Sequence, residues 1–178
     1  VVKRWGDRIA IRLGLELGEM AVDFALAEHY LSQTPPLDFV IGSLHVMSER
    51  FDRLGFTQVD RVAGDWDAVI EDYLAELMEH VAWGRFSVIG HLTLPLRYAV
   101  EGCGMDVSFV GHMDAVAQVL RLAVEKGVQP DEETAQEWLL TDGDDVRDFL
   151  YSLSDEELAA AFGGAGIRMS AFPHLFAD

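Results

Sequence analysis

The sequence predicts an α/β fold in which a parallel β-sheet is followed by a helical C-terminal region. Three short runs with strand patterning occur before residue 92, and segments of helical periodicity separate them, as is typical of a parallel sheet or barrel. After residue 110 the patterning is helical and predicts no further strand. The chain has 178 residues, 50% of them hydrophobic, which suffices for one domain with a sizeable core. We divide it into an α/β core, 1–127, and a helical extension, 128–178, packed on or beside the core.

The first strand is predicted over residues 8–17, where apolar residues alternate with polar or small ones up to Gly18. Glu16 occupies its last inward-facing position. A helix is predicted over 22–32, because its apolar residues recur near helical spacing. The break at Thr34-Pro35-Pro36 ends that helix, since proline cannot continue the hydrogen-bonding pattern.

Two apolar runs bounded by turn residues predict buried strands of a parallel sheet. The first run, 37–46, carries Ser43 and His45 at its carboxyl end. The second run, 86–91, ends in Gly-His at His91. The expected order is therefore strand, helix, strand, loop, helix, strand, with a polar residue closing each strand.

The remaining segments are predicted to be one long loop and several helices. The loop, 47–64, has a length typical of lids and binding loops. The helix that follows it, 66–83, begins after Asp65 and stops at Gly84, with apolar residues recurring at three and four. Further helices are predicted over 112–126, 131–140, 143–152 and 154–162, the last opened by a capping-box pattern at Ser154–Glu157.

The chain is strongly acidic, with 13 Lys plus Arg against 31 Asp plus Glu and a formal net charge of -18. This charge repels phosphate backbones and anionic lipid, so long nucleic acids and membrane surfaces are disfavoured as partners. A small phosphorylated substrate remains compatible, because bound divalent cations reverse the local potential of a carboxylate-lined pocket.

Cysteine content and hydropathy predict the cellular compartment of the protein. The single cysteine, Cys103, excludes an internal disulfide framework and fits a reducing compartment. No run approaches the 18 apolar residues that suggest a membrane span, and no signal-peptide pattern follows the N-terminus. We therefore expect a cytoplasmic protein. Because the chain opens on Val1 and not on Met, we also expect that sequence is missing upstream.

Three strand-end residues are candidate metal ligands: Glu16, His45 and His91. The carboxyl ends of parallel strands lie at one edge of a sheet, where active sites of such folds are found. A carboxylate with two imidazoles suits Zn, Mn or Fe. The alternative for each histidine is a hydrogen-bonded core residue. A carboxylate at the end of a buried strand needs a partner, because burying its charge alone costs several kcal/mol.

The segments around these residues resemble a known family. Gly14–Leu17, Phe39–His45 and Val88–His91, the last followed by Leu94–Tyr98, are similar in order and spacing to successive motifs of the PHP (polymerase and histidinol phosphatase) family. The resemblance covers residues 8–100. It implies part of a PHP-type distorted (β/α)7 barrel that binds up to three divalent metals. Such a protein hydrolyses phosphomonoesters, as histidinol-phosphate phosphatase does in histidine biosynthesis.

The resemblance also implies roles for individual residues. Glu16 would bridge two metals, and His45 and His91 would each hold one. Arg97, six residues beyond His91, is either a clamp for the substrate phosphate or an ordinary surface arginine. Ser43 either donates to a phosphate oxygen or packs at the end of its strand.

The chain departs from the family pattern, because it lacks the N-terminal His-x-His, the following Asp-His pair and the C-terminal Asp-x-His. Thr93 stands where relatives are often acidic, and His174 lacks the preceding Asp. Either the chain is a piece of a longer protein, or the tail replaces the closing strands of the barrel. We expect negligible activity from these 178 residues alone. The alternative function is a catalytically incomplete PHP-like module that binds metal or another protein.

The remaining histidines are not expected to bind metal. His29 and His80 fall within predicted helices and are expected to face solvent or to pack. His112 stands at a helix start, where a role in the first turn is the default expectation.

Overall fold

A computed structural model describes residues 12–130, and its sheet is parallel throughout. The strands follow one another across the sheet in chain order, β1-β2-β3-β4. They are β1 Gly14–Gly18, β2 Phe39–Ser43, β3 Val88–Ile89 and β4 Gln129–Pro130. The predicted α/β class is confirmed.

Within residues 12–130, four α-helices accompany the strands: α1 Phe24–Gln33, α2 Trp66–Trp83, α3 Leu94–Arg97 and α4 Met113–Lys126. Asp23 caps α1 by accepting a hydrogen bond from the backbone N–H of Leu26 (2.9 Å). Both long helices, α2 and α4, end at a glycine with positive φ, Gly84 at 66° and Gly127 at 69°. The bounds predicted for α2 from periodicity and its glycine stop are confirmed.

The core lies between one face of the sheet and the long helices. Val40 of β2 and Ile89 of β3 are buried in the same apolar cluster as α2 and α4. Tyr73 of α2 is also buried there, with its ring edge-on to that of Phe56 at 5.4 Å between centroids. The helical residues buried in this cluster are Val69, Ile70, Tyr73, Leu74, Leu77 and Val81 of α2 and Val116, Val119, Leu120 and Ala123 of α4.

The opposite face of the sheet carries the candidate site. Successive strand residues point to opposite faces, and paired residues of neighbouring parallel strands share a face. Glu16 pairs with Ile41, and Gly18 pairs with Ser43, so the side chains of Glu16 and Ser43 lie on the same face. We call this the site face.

The long loop before α2 is folded onto the core and is not a lid. Val46 and Gly55 form an antiparallel bridge that closes it on itself. Ser48 donates hydrogen bonds to Asp72 of α2 from both its backbone N–H and its hydroxyl group. Phe56 and Val59 are fully buried. The loop's length suggested a lid, but its apolar side chains and these hydrogen bonds make it part of the packed domain.

The prediction that no strand follows residue 110 is wrong, because β4 pairs with β3. After Gly127 the Val128 N–H donates to Ala123 O (2.8 Å), and the chain turns back so that 129–130 align with 88–89. Two residues are too few to show a period, so only the pairing with β3 reveals this strand. The start of the first predicted strand, 8–11, and the helices predicted within 131–162 lie outside the described residues, as does almost all of the 128–178 extension.

No helix within residues 12–130 combines the length and the apolar character that crossing a bilayer requires.

Candidate metal centre

The structure brings together the three residues that the sequence suggested as metal ligands. Glu16 Oε1 lies 3.4 Å from His45 Nε2 and 3.7 Å from His91 Nε2. One ligand atom from each residue lies within 4.8 Å of the other two. Among residues 12–130 this is the one cluster of such groups that has metal-ligand spacing.

The spacing of these atoms suits a small divalent ion. Ligands at 2.0–2.1 Å around a tetrahedral ion stand about 3.3 Å from one another. The separations of 3.4 and 3.7 Å from Glu16 Oε1 to the two imidazole nitrogens are close to that value. The side chains of Glu16, His45 and His91 are 47%, 43% and 31% exposed, so a ligand or substrate can reach them from solvent.

Glu16 is placed by its strand and by Ser43. It stands in the middle of β1, at the edge of the described sheet, and not at a buried strand end as expected. The premise that its charge is buried is therefore wrong. Ser43 is buried, 1% exposed, and its hydroxyl group donates to Glu16 Oε1 at 2.7 Å. Ser43 is thus packed at the end of its strand and orients Glu16, and donation to a substrate phosphate stays a prediction.

Gly90 leaves the space that Ser43 occupies. A Cβ atom at this position would lie 2.5 Å from Ser43 Oγ and 2.8 Å from Ile41 Cγ2. Contacts this short do not occur between real side chains, so a larger residue would displace Ser43 or the strand. The glycine before His91 thus matters for Glu16 on a different strand.

His91 stands in a left-handed turn after β3, with φ of 55°. Such a conformation is uncommon for a residue other than glycine and needs support from its surroundings. That support comes from Tyr73 of α2, whose hydroxyl group donates toward the carbonyl oxygens of His91 (3.2 Å) and Leu92 (2.9 Å). The core helix therefore holds the turn that presents His91.

Glu19 is part of the site, although the sequence interpretation did not include it. Its Oε1 accepts a hydrogen bond from the backbone N–H of His45 (2.6 Å) and lies 3.3 Å from His45 Nδ1. A signal was present in the sequence: an acidic residue directly after Gly18, at the end of the strand that carries Glu16. The sequence could not show that His45, after β2, lies beside Glu19, after β1.

The other histidines of the described residues lie outside the cluster. His80 is packed in α2, 1% exposed, and its Nε2 accepts from the Ala21 N–H at 3.3 Å. Its Nδ1 is 2.8 Å from the carbonyl oxygen of Glu76, and burial lowers its pKa. His29 is exposed on α1, and His112 lies 3.0 Å from Asp67 Oδ1. His174 lies outside the described residues.

Arg97 ends the short helix α3, which continues directly from the His91 turn. The Leu94 N–H donates to the carbonyl oxygen of His91 (2.8 Å), and the Arg97 N–H donates to that of Thr93 (3.1 Å). Arg97 is half-buried. Arg97 thus lies on the helix that follows the His91 turn, and its contact with a substrate phosphate stays a prediction.

Comparison with known proteins does not assign the chain to a family. No protein-family model and no curated protein sequence matches it.

Proposed function

We propose that this chain is a metal-dependent phosphoesterase domain of the PHP kind, most similar in activity to a histidinol-phosphate phosphatase. Glu16, His45 and His91 would hold a divalent Zn, Mn or Fe ion, and the substrate would be a small phosphomonoester. The observation that carries the proposal is the convergence of one carboxylate oxygen and two imidazole nitrogens, 3.4 and 3.7 Å apart, on an open surface.

The order of the strands is more consistent with a (β/α) barrel, the class to which the PHP fold belongs, than with a doubly wound sheet. In a doubly wound sheet the strand order reverses at a switch point, whereas consecutive strands of a (β/α) barrel are neighbours. The described strands are parallel and run β1-β2-β3-β4 in chain order. They would be four consecutive strands of a distorted (β/α)7 barrel, with the site face turned inward.

The chemistry of phosphate-ester hydrolysis suits this set of residues. A bound divalent metal would lower the pKa of its water ligand toward about 7 and offset charge on phosphoryl oxygens. Glu16 and the two histidines would fix its position, and Ser43 would hold Glu16 in orientation. Arg97 would bind two phosphate oxygens through its guanidinium group. The bound cation would also counter the repulsion that a net charge of -18 exerts on an anionic substrate.

A second function is a PHP-like module that binds metal or protein without catalysis. Residues 12–130 bring three ligand side chains together, which is fewer than the family's site of up to three metals needs. Against this, three protein ligands around one ion leave a coordination position for water or substrate, as catalytic zinc sites do. Phosphate release separates the two functions.

Metal content is the first test. The purified chain is dialysed against Zn or Mn and its bound metal is measured by elemental analysis, beside a Glu16→Ala/His45→Ala/His91→Ala variant. The control is Glu49→Ala/His29→Ala, which removes exposed residues of the same types away from the cluster. We expect metal in the wild type and the control and little in the triple variant. Equal amounts of bound metal in all three proteins would show that these residues do not form a metal site.

Phosphate release from histidinol phosphate is the second test. It is measured with the 178 residues and with any longer reading frame that encloses them, with and without a chelator. Chelator-sensitive release that the triple variant loses would support the phosphatase. Metal binding without release from histidinol phosphate or other phosphomonoesters in either form would favour the non-catalytic module.

A further inference from the structure

We infer that Glu19 is a positioning residue that holds the His45 ring with a proton on Nδ1 and the lone pair of Nε2 on the side of Glu16, an inference that rests on the proposed metal site. Nothing in the sequence motifs assigns Glu19 this role. It follows from the contacts of one carboxylate oxygen with both the backbone and the ring of His45.

The first observation is that the His45 ring lies between two carboxylates. Its Nε2 is 3.4 Å from Glu16 Oε1, and its Nδ1 is 3.3 Å from Glu19 Oε1. A neutral imidazole carries one proton, and the nitrogen without it is the one that can bind a metal. Because the Glu16 ligand oxygen lies on the Nε2 side, we assign the proton to Nδ1, the nitrogen nearest to the Glu19 oxygen.

The second observation is that Glu19 fixes the backbone of His45 as well. The same Oε1 accepts the His45 N–H at 2.6 Å, a short hydrogen bond typical of a charged acceptor. The carboxylate therefore restrains both the position of the residue and the rotation of its ring. Metal-binding histidines commonly donate their second ring nitrogen to a carboxylate, which fixes the tautomer and strengthens the ligand.

Glu19 is itself held by its surroundings. Its backbone is left-handed, with φ of 52°, and its N–H donates to the carbonyl oxygen of Ser43 (3.1 Å). Two residues later the Ala21 N–H donates to the buried His80 (3.3 Å). The side chain of Glu19 is 29% exposed, so its contacts are partly shielded from water. The turn after β1 thus presents the carboxylate from a fixed backbone.

Direct metal ligation by Glu19 is the competing role. Glu19 contacts the Nδ1 side of the ring, whereas Glu16 contacts the Nε2 side, and the cluster of ligand atoms comprises Glu16, His45 and His91. Glu19 therefore faces the opposite ring nitrogen from the site. The two roles differ in their effect on stoichiometry: a positioning residue changes affinity, and a ligand to a separate ion changes the number of ions bound.

The test combines a tautomer measurement with metal titration. Long-range proton–nitrogen NMR at a pH of about 8, where an ordinary histidine is neutral, reports which ring nitrogen of His45 carries the proton in the metal-free protein. Zn affinity and stoichiometry are measured by competition titration for the wild type, Glu19→Gln and Glu19→Ala. Glu49→Gln is the control, because it removes the same charge from an exposed position. Thermal unfolding of each metal-free protein reports a merely structural effect.

We expect wild-type His45 to carry its proton on Nδ1. Both Glu19 variants should bind the same number of ions about 10- to 100-fold more weakly than the wild type, the alanine variant more so. Glu49→Gln should bind normally. A wild-type proton on Nε2, an unchanged affinity in folded Glu19 variants, or a lost ion in place of a weaker one would overturn the inference. If the wild type binds no Zn, the proposed function fails, and the tautomer of metal-free His45 still decides the role of Glu19.

Discussion

The hydroxyl group of Ser43, buried at the end of β2, donates a 2.7 Å hydrogen bond to Glu16 Oε1 on the neighbouring strand. The same oxygen is the one nearest to the two histidines of the candidate site. A buried serine on β2 therefore orients an exposed carboxylate on β1. The pairing of these two strands thus helps to fix the position of a candidate metal ligand.

Ser43→Ala should weaken metal binding roughly three- to tenfold, because a net hydrogen bond of about 1 kcal/mol to Glu16 is lost. Zn titration measures the effect. Ser32→Ala is the matched control, since Ser32 donates to the carbonyl oxygen of His29 on the exposed surface of α1. If the two variants bind Zn with equal affinity, the hydrogen bond from Ser43 does not contribute to metal binding by Glu16.

Gly90→Ala should destabilise the fold by about 1–3 kcal/mol, the usual cost of an overpacked site. The added Cβ would meet Ser43 Oγ at 2.5 Å and Ile41 Cγ2 at 2.8 Å. Urea unfolding gives the free energy, with Gly111→Ala as the control because its Cβ would have no atom within 4 Å. The loss should extend to metal affinity, because Ser43 has to move. A Gly90→Ala protein as stable as the control would contradict the packing.

Stability should fall as pH drops below about 6.5, the ordinary pKa of histidine, because of His80. Burial lowers the pKa of folded His80, although the Glu76 carbonyl oxygen and the nearby Glu19 and Glu79 carboxylates oppose that shift. The unfolded chain then binds the proton more readily, so stability is full above the unfolded pKa and is lost as pH falls toward the folded pKa. Protonation would also remove the acceptor for the Ala21 N–H.

Urea unfolding between pH 5 and pH 8 measures this dependence. His80→Phe should be less stable at pH 8, because Ala21 loses its acceptor, and should show a shallower loss toward pH 5. The exposed His29→Gln should keep the wild-type dependence. An unchanged slope in His80→Phe would assign the acid sensitivity to other groups.

Arg97→Ala should raise KM for histidinol phosphate about 10- to 150-fold with little change in kcat, in whichever form of the protein releases phosphate. A charge-assisted bidentate contact is worth about 1.5–3 kcal/mol, and the phosphate is charged in both ground and transition states. Arg97→Lys should recover part of the loss, because it keeps the charge without the planar fork. Arg85→Ala, which removes an exposed partner of Glu28, is the control. Unchanged kinetics would make Arg97 a surface residue.

The sequence by itself determined the α/β class, the long helix α2, and the three candidate metal ligands. Local sequence patterns predict these features: apolar periodicity, a glycine stop at Gly84, and polar residues just after short apolar runs. Parallel pairing then brings Glu16, His45 and His91 to one region, because the strands align in register. That convergence could be expected without knowing any single contact.

Tertiary structure decided the features that depend on residues distant in sequence. The strand β4 exists because 129–130 pair with β3, and these two residues show no strand pattern of their own. A glycine is needed at position 90 because Ser43, on another strand, occupies the space of a side chain. Glu19 belongs to the site because His45 lies next to the turn after β1. The exposure of Glu16 likewise follows from the place of β1 at the edge of the described sheet. Local patterns indicate which residues prefer a strand end, but only the packed chain determines which oxygen faces which nitrogen.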